Sequence, residues 1–136
     1  MSRSIPQSVR KFVAERAGSR CEYCRVAERD SNFTYHIEHI ISRQHGGSDH
    51  PDNLAWSCSI CNWKKGSNIF TILEENGPPI PLFNPRKEDW FAHFGVVDGE
   101  ITPKTDVGAA TAKLLVFNSP DNIIERKELI ESGSYP

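Results

Sequence analysis

The sequence predicts a small α+β domain, and three observations carry that prediction. Two Cys-x2-Cys pairs, Cys21/Cys24 and Cys58/Cys61, stand with 33 residues between them. The stretch they bracket runs as strand, polar loop and strand, and leads into a short helix that carries the second pair. The flanking segments read as helices, with one strong hairpin signal in the C-terminal half.

Composition sets the limits. The chain has 136 residues, 38% hydrophobic and 10% aromatic, enough for one domain with a modest core that gains from a metal staple. No apolar run approaches the roughly 18 residues of a spanning helix, and MSRSIPQSVRKF contains no hydrophobic signal region. The expectation is a soluble, cytoplasmic protein with no membrane partner. In a reducing compartment paired cysteines are metal ligands more often than disulfides; two disulfides or free thiols are the alternatives. Four cysteines in two such pairs match a closed tetrahedral Zn²⁺ site, structural because no position stays open to substrate. The net charge of −2 averages a front half, residues 1 to 70, with ten Lys/Arg against seven Asp/Glu and a remainder with six against eleven. So small an asymmetry does not decide for or against nucleic acid.

The elements follow in order. Ser4 to Ala17 reads as a helix: Ser4 as cap, Pro6 in the first turn, Val9, Phe12, Val13 and Ala17 on one stripe, Gly18 closing it. Arg3, Arg10, Lys11 and Arg16 occupy the other face, which is either solvated or set against a nucleic-acid backbone. After the first cysteine pair and a polar loop, Phe33 to Ile41 is rich in β-branched and aromatic residues and reads as a strand bearing His36, Glu38 and His39. Ser42 to Asp52 is a loop with Gly46, Gly47 and Pro51. Asn53 to Ser57 forms the second strand, and Ser59 to Lys65 a helix ended by Gly66. Beyond it, Ile69 to Leu73 is a strand or a helix end, Asn84-Pro85 starts a short helix to Phe94, and Val96 to Thr102 is a hairpin around Asp98-Gly99. Thr105 to Asn118 and Asp121 to Glu131 are the last two helices. The segment from about 68 to 136 is expected to pack on a core of about 20–67 within a single domain, residues 1–136.

The strings EHIISRQHGG, NLAWSC and CNWKKG resemble the signature of the HNH endonucleases, in their variety with two CxxC knuckles. LFNPRKEDWFAHF and GAATAKLL are similar to the C-terminal part of a group of small bacterial and phage-type HNH proteins. The resemblance implies a ββα-metal (His-Me finger) core, stapled by the four-cysteine zinc site and extended by an N-terminal helix and a mixed helical and hairpin C-terminal part. It implies a metal-dependent DNA endonuclease. His39 would be the general base that activates water, Asn53 the residue that closes the loop and orients that base, and Glu38 and Asn62 the ligands of one catalytic divalent ion. A carboxylate and an amide oxygen make a hard, sparse site, suited to Mg²⁺ or Mn²⁺ more than to zinc. Imidazole, with an unperturbed pKa of roughly 6.5, suits the base. Adjacent strand residues point to opposite faces, so Glu38 and His39 can serve one site only if the strand breaks its pleat there, and the resemblance implies that the strand ends at this place.

Arg43, Lys64 and Lys65 lie close to this motif and are candidates to neutralise DNA phosphates. His36 is a third ligand, a substrate contact or a plain exposed residue. His45 touches DNA or packs the loop, and His50 and His93 are surface or packing residues. Trp56 and Trp63 are expected as core anchors beside the second knuckle. Two rival readings accompany the nuclease: a zinc-stabilised nucleic-acid-binding module that does not cut, and a protein-interaction zinc domain.

Overall fold

The computed structural model describes residues 4–136, so Arg3 lies outside the described residues. Helix α1 covers Gln7–Arg16, starting later than its sequence suggests. Pro6 occupies the N-cap with φ −58° and ψ 147°, and no side chain caps the helix. The residue before a proline is held away from helical geometry, which stops the helix from extending back to Ser4. The first knuckle follows at once, and the Cys21 N–H donates to Val26 O at 3.0 Å.

Strand β1 is only His36–His39, and it pairs antiparallel with β2, Leu54–Ser57. The expected start at Phe33 is absent, and Tyr35 bonds instead to the loop that follows the first knuckle. The Tyr35 N–H donates to Glu28 Oε2 at 3.0 Å and its hydroxyl to Val26 O at 2.9 Å. Helix α2, Ser59–Lys65, ends at Gly66 as its sequence predicts. The hairpin is covered on both sides. On the face of Glu38 and His36, α2 supplies Lys65 and Ser59; on the face of Trp56, α1 supplies Arg10, whose guanidinium lies 5.6 Å from the Trp56 ring centroid.

The C-terminal half contains a two-residue β3–β4 pair, Phe70–Thr71 with Ile80–Pro81, a short α3, Trp90–His93, and the hairpin β5–β6, Phe94–Val97 with Glu100–Pro103. Asp98 and Gly99 make its turn at φ 51° and 82°, both positive, as a two-residue type I′ turn requires. Helices α4, Asp106–Leu114, and α5, Pro120–Glu131, are capped by the hydroxyls of Thr105 and Ser119, each satisfying an otherwise orphan amide. Among the described residues no helix is long and apolar enough to cross a membrane.

Val13, Tyr23, Leu54, Trp56, Phe83, Trp90, Phe94, Ile101 and Phe117 belong to one buried cluster. It draws on both halves of the chain, and polar ties reinforce it. Trp90 Nε1 donates to Tyr23 O at 2.8 Å, and the Tyr135 hydroxyl donates to Cys24 O at 2.8 Å. Arg126, 2% exposed, anchors α5 by donating to Gly99 O, Phe117 O and Asn118 Oδ1. Trp56 is buried, but Trp63 is 82% exposed and anchors nothing in the core. The reason is helical phase: Trp63 sits two residues, roughly 200°, from the inward-facing Cys61.

Candidate functional site

The first centre is built by the two knuckles. Cys21 and Cys24 hang from the turn after α1, and Cys58 is the N-cap of α2, so Cys61 follows one turn into that helix. The Cys24 N–H points at Cys21 Sγ, 3.4 Å, and the Cys61 N–H at Cys58 Sγ, 3.3 Å. All four sulfurs lie within 4.8 Å of one another, with Cys24 and Cys58 at 3.9 Å. Tetrahedral Zn–S bonds of roughly 2.3 Å put sulfurs about 3.8 Å apart, so the donor set fits a closed zinc site. All four are free cysteines and no disulfide competes. Burial works against ionising Cys21, but hydrogen bonds from Cys24, Cys58 and Cys61 hold it well below the ordinary thiol value. The same shared hydrogen bonds, with burial, push Cys24 and Cys61 well above it, so one thiolate is favoured at the expense of its neighbours.

The second centre lies at the end of β1. His39 is partly buried, its side chain 18% exposed, and its Nε2 is 2.8 Å from Asp49 Oδ1. Arg43 grips the same carboxylate twice, Nε to Oδ1 at 2.9 Å and Nη2 to Oδ2 at 3.1 Å. Among the described residues His39 Nδ1 makes no hydrogen bond.

The loop that carries Arg43 and Asp49 is closed by Asn53. Its Nδ2 donates to Ile41 O at 2.9 Å and to Ser48 O at 2.8 Å, while its Oδ1 accepts from the Ile41 N–H at 2.9 Å. Gly47 is pressed into this clasp: a Cβ there would collide with Ile41 O and stand 2.9 Å from Asn53 Nδ2. Backbone cannot give way to such an overlap without opening the loop. Gly47→Ala is therefore expected to lose about 1–3 kcal/mol of stability, and to broaden or shift the His39 ring signals in a proton–carbon NMR spectrum. Unchanged signals and melting would show that the loop tolerates the methyl group.

Glu38 stands elsewhere. The β1–β2 register continues through His39 opposite Leu54, and the Ile40 N–H still reaches Asn53 O at 2.9 Å, so the strand does not break its pleat. Glu38 consequently points away from His39 and into the interior, 3% exposed. Its Oε2 accepts from the Tyr23 hydroxyl at 2.7 Å, and its Oε1 from Lys65 Nζ, also at 2.7 Å. Burial raises the Glu38 carboxyl above its ordinary value, with the Lys65 charge opposing. Both carboxylate oxygens are engaged and shielded, so in this arrangement Glu38 does not fit a hydrated divalent ion. Asn62 lies on α2, partly buried, with no side-chain hydrogen bond among the described residues.

Lys65 is also corrected. It is 1% exposed and its ammonium is spent on Glu38, His39 O at 3.3 Å and Ile40 O at 2.9 Å; it cannot meet a phosphate. Lys64 is exposed. Arg43 is partly exposed at its tip but committed to Asp49. His36 is exposed, with Nε2 3.2 Å from Ser59 Oγ. His45 is exposed at the end of a short turn, and His50 accepts from the Asp52 N–H. His93 bridges Glu88 and Thr105. Sequence reasoning missed Asp49, because nothing local says that a loop acid ten residues on returns to His39. It named Lys65 for phosphate contact but not for its buried pairing with Glu38, for which the place four residues after Cys61 was the available signal.

The family model described as HNH endonuclease matches residues 21–68, from the first knuckle through α2. The β1–β2 pair followed by α2, with the cysteine cluster at its ends, is consistent with the ββα-metal fold. No curated protein and no solved structure matches the chain.

Proposed function

We propose, from the premise that residues 21–68 form an HNH endonuclease domain, that the protein hydrolyses phosphodiester bonds in DNA. The observation that carries the reading is His39 at the end of β1, partly open, with one ring nitrogen held and the other unengaged by the protein. A neutral imidazole in that setting can take a proton from water as it attacks phosphorus. The expected products are 5′-phosphate and 3′-hydroxyl ends.

Cys21, Cys24, Cys58 and Cys61 would hold a zinc ion, which would cross-link the two knuckles and, with four thiolate ligands, would offer substrate no open position. Asn53 keeps the loop shut over His39. The Glu38 carboxylate, buried and bonded to Tyr23 and Lys65, does not support a divalent ion there. For DNA contact, the support is the cation set on the α1 side. Arg16 donates to Pro51 O and to Leu54 O, the residue opposite His39. Arg16 and Lys87 line a single cavity there with Asp52 and Arg86, the last already paired with Glu22.

The test is conversion of supercoiled plasmid to nicked or linear DNA by zinc-loaded protein in Mg²⁺ or Mn²⁺, beside His39→Ala. Loss of cleavage by on the order of 10²–10⁴-fold is expected in the variant, with zinc content and melting unchanged. Equal cutting by the variant would remove His39 as base. The sequestered Glu38 favours one second reading, a zinc-stabilised DNA-binding module without cleavage. No cutting by the wild type together with a salt-sensitive gel shift would select it.

A further inference from the structure

The carboxylate that faces His39 comes from the loop and not from the strand. We infer that Asp49 is the positioning residue of the histidine centre, accepting a hydrogen bond from His39 Nε2–H and so fixing the tautomer that leaves the Nδ1 lone pair free to act. For its catalytic consequence this rests on the nuclease reading of His39.

Three observations support it. The Nε2 to Oδ1 distance of 2.8 Å is a short, charge-assisted contact, and a carboxylate can only accept there, so Nε2 must carry the hydrogen. Arg43, bonded in a two-point grip to both oxygens of Asp49, fixes the plane of the carboxylate and with it the ring orientation of His39. The Asn53 clasp and the close approach of Gly47 hold the loop that delivers both residues. An imidazole whose far nitrogen is pinned by a carboxylate is oriented in the way a general base requires. Glu38 cannot share the task, because its side chain is on the other face of β1 and saturated by Tyr23 and Lys65.

The assignment changes what Arg43 does. Its charge works on Asp49 and hence indirectly on His39, in place of direct contact with a phosphate.

The experiment is ¹⁵N NMR of the His39 ring in zinc-loaded protein at alkaline pH, for wild type, Asp49→Asn and Glu38→Gln. Wild type is expected to hold the hydrogen on Nε2. Asp49→Asn should shift both nitrogens toward a mixture of tautomers and lower kcat for plasmid cleavage by on the order of 10²-fold or more, with KM changed little. Glu38→Gln should leave the wild-type tautomer in place. Arg43→Gln, which loosens the carboxylate without altering either bonded atom, should move the same signals less, and it serves if Asp49→Asn fails to fold. If wild type cuts DNA and Asp49→Asn matches it in rate and in ring shifts, the assignment is overturned while the nuclease reading stands. If wild type cuts nothing, the nuclease reading fails, yet the ring shifts still decide whether Asp49 sets the tautomer. A hydrogen found on Nδ1 in wild type would also overturn the inference.

Discussion

Cys58→Ala is expected to abolish the folded state. The sulfur is one of four that converge within 4.8 Å and it also caps α2, so one change removes a ligand and frays the helix that carries another. Structural zinc contributes about 10–16 kcal/mol of apparent binding free energy that is available only to the folded chain. A domain of this size has a net stability of about 5–15 kcal/mol, so the loss is comparable to the whole. The damage would spread beyond the knuckles, because Tyr23 and Cys24 also receive Trp90 and Tyr135 from the C-terminal half. Zinc content by atomic emission and far-ultraviolet circular dichroism would read the result, and a strong chelator added to wild type should reproduce it. A variant that binds no zinc but melts like wild type would show that the centre is dispensable.

Lys65→Met should have the next largest effect. The ammonium and the Glu38 carboxylate are each 2% exposed in their side chains and 2.7 Å apart. Removing one partner of a buried pair leaves the other uncompensated, a loss of about 3–5 kcal/mol. The pH dependence has a definite sign. Burial already raises Glu38 above its ordinary carboxyl value, and Lys65 holds that rise back. Without the cation the folded-state value climbs further. The folded variant then binds a proton that the unfolded chain has released, so stability present below the unfolded carboxyl range is lost as pH rises through the folded value. Urea midpoints of the variant should therefore fall as pH rises above the ordinary carboxyl range, more steeply than those of wild type. Adding Glu38→Gln to Lys65→Met should flatten the curve and recover part of the loss. Parallel curves for wild type and the single variant would mean that the pair contributes no such coupling.

The parts of the molecule that were legible in its sequence are those set by local rules. The Cys-x2-Cys spacing marked the four-cysteine cluster, Gly66 marked the end of α2, and Asp98-Gly99 marked its hairpin because a type I′ turn demands two positive φ angles. Strand β1 is shorter than its composition suggests because β-propensity cannot know that Tyr35 has a better partner in Glu28. Glu38 and His39 were placed together by resemblance, although strand alternation argued against it, and the unbroken register sides with alternation. The periodicity of α2 from Cys61 puts Lys65 inside and Trp63 outside, against the general preference of lysine for the surface and tryptophan for the core. Asp49 and Arg126 belong to another class. Each acts on atoms brought near only by loop closure or by the packing of a late helix, and no local pattern encodes that.

The hydrogen bond from Tyr135 to Cys24 O has a consequence for the order in which the molecule is made. During synthesis both knuckles leave the ribosome well before Tyr135 does, so the Cys24 carbonyl is made long before its donor. Any ion taken up by the four cysteines at that stage would sit in a first knuckle whose backbone is not yet tied down. That tie is added late, when the segment bearing Tyr135 folds back onto the first knuckle.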